Sequence, residues 1–337
     1  MLSLLEELCL DNLSAQSYSV FNSIVEYQRF ASSLAHTDHR VPAASSSPCG
    51  RFISYRDKTL EVSEWTNGLR RLYEDTKAAM DNLFRHNAVG LNIPDIVKDD
   101  MTEQRRGYSW LDNGHFVQDR ILLQILMNDA DLNLCVKGSG GLIFNGAAMM
   151  KVMGKMAAIN ANLSILCHEL PGQPARASEF IEHKIRNSTR GRTFFRQHGA
   201  DWLVTRRVKT EYKSHQEAFL PSKVPPELQQ LLDLYLLCVR PVETDFARRL
   251  WGDDVAVLYH EYLFVQYNAR MTEDQFSRNL SRTSQDYFGC ELGVRNYRHI
   301  AVEIARVYLG SEYEILVEDG EEEGDALAEQ AGHGLGT

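Results

Sequence analysis

The residues of this sequence that stand in telling contexts are mostly basic, and they lie in its second half. Arg176 follows a chain break and opens a helical stretch in PGQPARASEF, with Ser178 and Glu179 behind it. Tyr212-Lys213-Ser214 leads into FLPSKVPPELQQLL. Arg295 and Arg298 stand three apart, on one face of a helix, in VRNYRHIAVEIAR. His333 follows a glycine in LAEQAGHGLGT. Residues 176–223 hold eleven basic and five acidic residues, a balance compatible with a face that binds phosphate. Taken singly, each of these is equally a solvated surface charge. Their order along the chain is the stronger signal.

Other chemistries lack their signatures. The glycines of Gly138-Ser139-Gly140-Gly141 do not lead to the Gly-Lys-Ser/Thr of a phosphate-binding loop, and Gly154-Lys155 runs on into Met156. There is no HExxH and no GxSxG, and Cys167-His168 alone is a weak metal signal, since a lone His is more often a packed or surface residue than a ligand. The six cysteines are scattered singly, so reduced thiols in an intracellular protein are expected, with no metal and no cofactor. No run approaches about 18 apolar residues, and acidic residues interrupt the apolar start, so neither a membrane span nor a secretory signal is expected.

The net charge of −10 argues against a polyanionic partner until its distribution is read. Nine acidic residues and no Lys or Arg follow position 310, so the rest of the chain is close to neutral. The elements that must position the basic residues follow from periodicity. Arg51–Glu61 alternates as one or two short strands, and Ser63 caps a long helix with Trp65, Leu69, Leu72, Met80 and Phe84 on one face. Residues 90–113 read as a loop, and helical spacing returns over Phe116–Leu134 and Phe144–Leu170. After PGQP a helix is expected over Arg176–Ile185, then two or three short strands over 193–221 around the turn-like HGAD. Pro225 and Pro226 open an apolar helix, Thr272 and Gln275 have capping-box spacing, and Arg295–Leu309 is a last helix. The fold class expected is mainly α with a small antiparallel β-sheet, with a helical domain over 1–170 and a second domain over 171–337.

In order, the basic residues resemble the catalytic domain of tyrosine recombinases. Arg176 in ARASEF is similar to the first-box arginine, Lys213 to the lysine of the β-hairpin, Arg295-Asn296-Tyr297-Arg298-His299 to the H-x-x-R-H box, and Gly332-His333 to the final GH box. The similarity covers about residues 165–337. With GYSWLDN (107–113) and LCVRP (237–241) it is closer to fungal Crypton-type recombinase-like regions, which also occur ahead of RecQ-type helicase domains in telomere-linked fungal proteins.

The resemblance implies a nuclear, mobile-element-derived protein that binds duplex DNA, with copies assembling on it. Residues 1–170 would be the core-binding-like domain and 171–337 the catalytic one, with an acidic insertion at 312–325. Arg176 and Arg298 would clamp the phosphate oxygens, Lys213 would protonate the leaving 5′-oxygen, and His333 would donate to the phosphate. Arg206, Arg207, Lys209 and Arg295 are the expected DNA contacts. Two departures stand out. Arg295 replaces the usual His and stays protonated, and no Tyr follows His333 in the chain, so strand transfer is expected to be absent. A fragment of a larger helicase-linked protein and a helical protein-interaction scaffold remain the alternatives.

Overall fold

The computed structural model describes residues 44–87, 98–113, 120–139, 141–207 and 218–318, with the backbone alone for Arg207, Ala218 and residues 309–318. The fold is mainly α with small antiparallel sheets. Strands β1 (Ser45–Ser46), β2 (Phe52–Tyr55) and β3 (Lys58–Glu61) form a three-stranded antiparallel sheet that runs straight into helix α1 (Val62–Leu83). Leu69, Leu72, Thr76, Met80 and Leu83 recur at helical spacing and form its buried face. The helix starts at Val62 with Glu61 as N-cap; Ser63 lies inside it and donates to the Glu61 carboxylate at 2.8 Å.

Helix α2 (Ile121–Asn128) is shorter than the periodicity suggested, because its C-terminal part turns into the hairpin β4 (Cys135–Gly138) and β5 (Gly141–Phe144). Gly138 and Gly141 face each other at the closing end of that hairpin. Helix α3 (Gly146–Glu169) is capped by Asn145, whose side chain accepts from the amides of Ala147 and Ala148. It is apolar on nearly every side, and everything from Leu163 to Glu169 is buried, so it is the central helix that the others cover. Within it Asn160 accepts from the Val265 amide and donates to the Leu263 carbonyl, both at 3.2 Å, so a buried side chain serves two backbone groups there.

The expected helix after PGQP is a single turn, α4 (Ala177–Phe180). Strands β6 (Phe194–Gln197), β7 (Ala200–Arg207) and β8 (Ala218–Lys223) then pair in order as an antiparallel sheet. His198 and Gly199, both with positive φ, make the tight β6–β7 turn, as the right-handed strand twist favours. Asp201, Leu203 and Thr205 are buried on one face of β7, while Trp202, Val204 and Arg206 alternate onto the other.

Helix α5 (Pro226–Leu234) passes through a π-helical turn at Tyr235–Val239 into α6 (Arg240–Trp251). Helix α7 (Asp253–Glu261), the short hairpin β9 (Val265–Gln266) and β10 (Ala269–Arg270), α8 (Glu273–Phe288) and α9 (Val294–Glu318) complete the described chain. Thr272 and Gln275 form the capping box of α8. Helix α1 packs on α3 and α8, and α9 packs on β1 and β2. Buried residues on both sides of position 170 belong to one continuous core.

The segment 98–113 is a loop with one 3₁₀ turn at Trp110–Asp112, and buried arginines pin it to the β6–β8 sheet. Arg192 pairs with Asp99 at 2.5 Å and lies between the Tyr108 and Phe195 rings. Arg196 pairs with Asp201 at 2.7 Å and Asp233 at 2.5 Å, with its guanidinium 3.8 Å from the Trp110 ring centroid. These charges are taken up internally. With Arg186, which pairs with Asp112, they reduce the basic surplus that the sequence shows in this region.

Candidate functional site

Three consecutive residues ahead of Arg176 are held by hydrogen bonds from or to neighbouring helices. Gln173 donates to the Ala301 carbonyl of α9 at 3.4 Å. Arg298 of α9 donates from Nε to the Pro174 carbonyl at 3.1 Å. The ring Nε2 of His168, near the end of α3, lies 3.0 Å from the Ala175 carbonyl, where it donates as the neutral tautomer. His168 is 2% exposed and edge-on to Phe180 and Phe276. Burial, opposed by the Ala175 bond and helped by the Arg298 charge, brings its pKa down to about 4.

This strap presents Arg176 as the N-cap of α4, where its amide bonds the Glu179 carboxylate at 3.4 Å and its guanidinium lies 3.6 Å from it. Beyond it opens a cleft of about 340 Å³ between α4, the 183–193 segment and β7. Its cationic lining is Arg176, Lys184, Arg190 and Arg206; Glu179 and Glu182 are its acids. Lys184 donates from Nζ to the Ser188 hydroxyl at 2.6 Å and sits 4.6 Å from the centre of the Tyr262 ring. Arg206 donates to the Gly191 carbonyl at 3.2 Å and lies over Phe219. Gly191 leaves room for it: a Cβ there would come within 2.9 Å of Arg206 Nη2 and push the guanidinium aside. Glu182 is engaged by Arg270 at 2.8 Å. His183, at the back, shares a hydrogen bond with Thr193 Oγ1, and burial lowers its pKa to about 3.

Of the residues singled out in the sequence, Arg176 and Arg206 line this one cleft. Arg298 reaches the same strap through Pro174 but is not a lining residue. Arg295 is exposed at the start of α9, on the part of the helix where His299 stacks on Tyr55, with ring centroids 4.4 Å apart. Arg207 ends β7. Lys209 and Lys213 fall in the β7–β8 connection and His333 near the end of the chain, all three outside the described residues. Lys184 and Arg190 were missed. Their signal was the dense basic run 184–196, which mixes cleft residues with the buried Arg192 and Arg196 and so does not separate them by type.

Among the described residues no group of three or more His, Cys, Asp or Glu side chains could hold a metal ion. No helix among them is long and apolar enough to cross a membrane. No protein-family model matches the chain, and no solved structure matches it.

Proposed function

We propose that this chain is a duplex-DNA-binding, tyrosine recombinase-like protein, nuclear and of mobile-element origin, that engages the DNA backbone through the Arg176 cleft. The observation that carries the reading is the strap. A guanidinium from the last described helix bonds the carbonyl two residues ahead of Arg176, so two arginines far apart in sequence are held against one segment. Planar guanidinium forks on a fixed backbone suit the oxygens of a phosphodiester. The antiparallel β7–β8 pair, whose connection carries Lys209 and Lys213, borders the same cleft. Strand transfer is not part of the proposal, and copies assembling on DNA would follow from the same resemblance.

A second reading, a helical interaction scaffold, is favoured by the internal use of Arg186, Arg192 and Arg196. Titration of a fluorescent duplex at several salt concentrations separates the two. DNA binding predicts affinity that falls steeply with salt, and Arg176→Ala with Arg206→Ala together should lower the log–log slope by about 2. Absence of salt-dependent binding would leave the scaffold.

A further inference from the structure

Behind the strap lies a carboxylic acid with no role in the reading above. Glu169 is the last residue of α3, follows His168 directly and is 4% exposed. Neither of its carboxyl oxygens has a hydrogen-bond partner among the described residues. Trp65, from the first turn of α1, is the donor directed towards it, but the indole Nε1–H also falls short of hydrogen-bond geometry. Tyr297 of α9, 1% exposed, borders the same indole and feels the Glu169 charge. Three helices therefore meet on one acid that is buried, has no cation beside it among the described residues and sits at the negative end of a helix dipole. Each of these conditions disfavours its carboxylate form.

The location gives this acid its interest. His168, which holds Ala175, is its neighbour on α3, and Arg298, which holds Pro174, is the neighbour of Tyr297 on α9. We infer that Glu169 is a positioning residue for the cleft: as a neutral acid it closes the joint of α1, α3 and α9, and losing its proton loosens the strap that fixes Arg176. Tyr297 is the titratable group facing it from α9. Arg298, next along, acts on His168 instead, and α1 presents the non-titrating Trp65. His168 on its own helix is neutral, and α8 presents Phe276 to that histidine. Burial raises the Glu169 pKa to about 8, so the proton leaves between neutral and mildly alkaline pH.

The inference rests on the DNA-binding reading for its consequence but not for its first test. In protein labelled with δ-¹³C glutamate, a protonated glutamic acid signal that disappears in Glu169→Gln should be visible at pH 7 and lost by pH 9; its absence at pH 7 would overturn the inference. Hydrogen exchange over residues 170–180, corrected for intrinsic rates, should then rise at pH 9 in the wild type and stay flat in Glu169→Gln. Duplex affinity should fall about tenfold from pH 7 to pH 9 in the wild type, as expected one unit above a linked ionisation, and hold in Glu169→Gln. Equal profiles in the two proteins would sink the coupling. If no duplex binds at any pH, the DNA reading fails alone, and the glutamate signal with the exchange data still decides the role of Glu169.

Discussion

Arg298 and Pro174, distant in sequence, are joined by a 3.1 Å hydrogen bond from the guanidinium Nε to the backbone carbonyl. Its consequence is local. A carbonyl outside any helix or strand gains a charged donor, and the residue two positions on, Arg176, is presented at the start of α4.

Arg298→Met should loosen the strap and cost about 1.5–3 kcal/mol, the range for a hydrogen bond from a charged group. Arg298→Lys should recover little of it, because an ammonium on a flexible stem replaces the rigid planar donor that meets the Pro174 carbonyl. Urea unfolding midpoints for the three proteins test this. A lysine variant as stable as wild type would show that charge alone matters at the position.

The shared guanidinium of Arg196 makes a stability prediction with a pH sign. Arg196→Met strands Asp201 and Asp233 in the interior and should cost about 3–5 kcal/mol. Burial first, then the Asp201 charge, push Asp233 up to about 7. A carboxyl raised in the native state keeps a proton that the unfolded chain releases near pH 4. Its contribution is full below that pH and is lost as pH rises through about 7. Asp233→Asn should therefore flatten the decline in thermal midpoint between pH 4 and 7, while the buried His168, with its pKa lowered to about 4, still erodes stability as pH falls from its ordinary range towards that value. An unchanged slope in Asp233→Asn would remove Asp233 as its source.

Where one period dominated, the sequence was legible. The helix carrying Leu69, Leu72 and Met80, the β6–β7 turn at His198-Gly199 and the Thr272–Gln275 capping box are all local in cause, and all three are in the structure. Two short hairpins were not legible. Val136, Leu142 and Ile143 continue an apolar run that also fits a helix, and only the glycines between them choose the turn. Gln266 and Ala269 face each other across too few residues to set a period. At the site, the single basic residue most exposed to misreading was Arg196. Its type suggests a surface charge, and its burial depends on Asp233 from a helix 37 positions away. Lys184 was equally hidden, since its placement over Tyr262 comes from an isolated bridge between distant segments.

The acidic residues from Glu312 to Asp325 predict an opposing charge effect. Eight of them fall in that stretch, beside no Lys or Arg. Replacing all eight by Gln or Asn should tighten duplex binding and leave the salt slope set by the cleft arginines unchanged. Anisotropy titrations at two ionic strengths check it, and a variant with wild-type affinity at both would rule the effect out.

The two tyrosines of α9 whose side chains are described make the last prediction. Tyr297 precedes Arg298, but it is 1% exposed, and burial, followed by the Glu169 charge, raises its phenol well above the ordinary value. A buried neutral phenol is neither a nucleophile nor in line with anything on the surface. Tyr308 is 57% exposed, yet its hydroxyl turns to the Gly50 carbonyl at 3.4 Å, in the turn that leads into β2, where α9 packs on the β1–β3 sheet rather than on the cleft. A duplex nicked beside a candidate scissile phosphate should therefore trap no covalent adduct at either residue on a denaturing gel. Tyr297→Phe and Tyr308→Phe should leave duplex affinity within about twofold, because neither group is placed to meet a phosphate. An adduct mapped to Tyr297 would require the start of α9 to leave the core, taking Arg298 off Pro174 with it, and would overturn the strap as the device that holds Arg176.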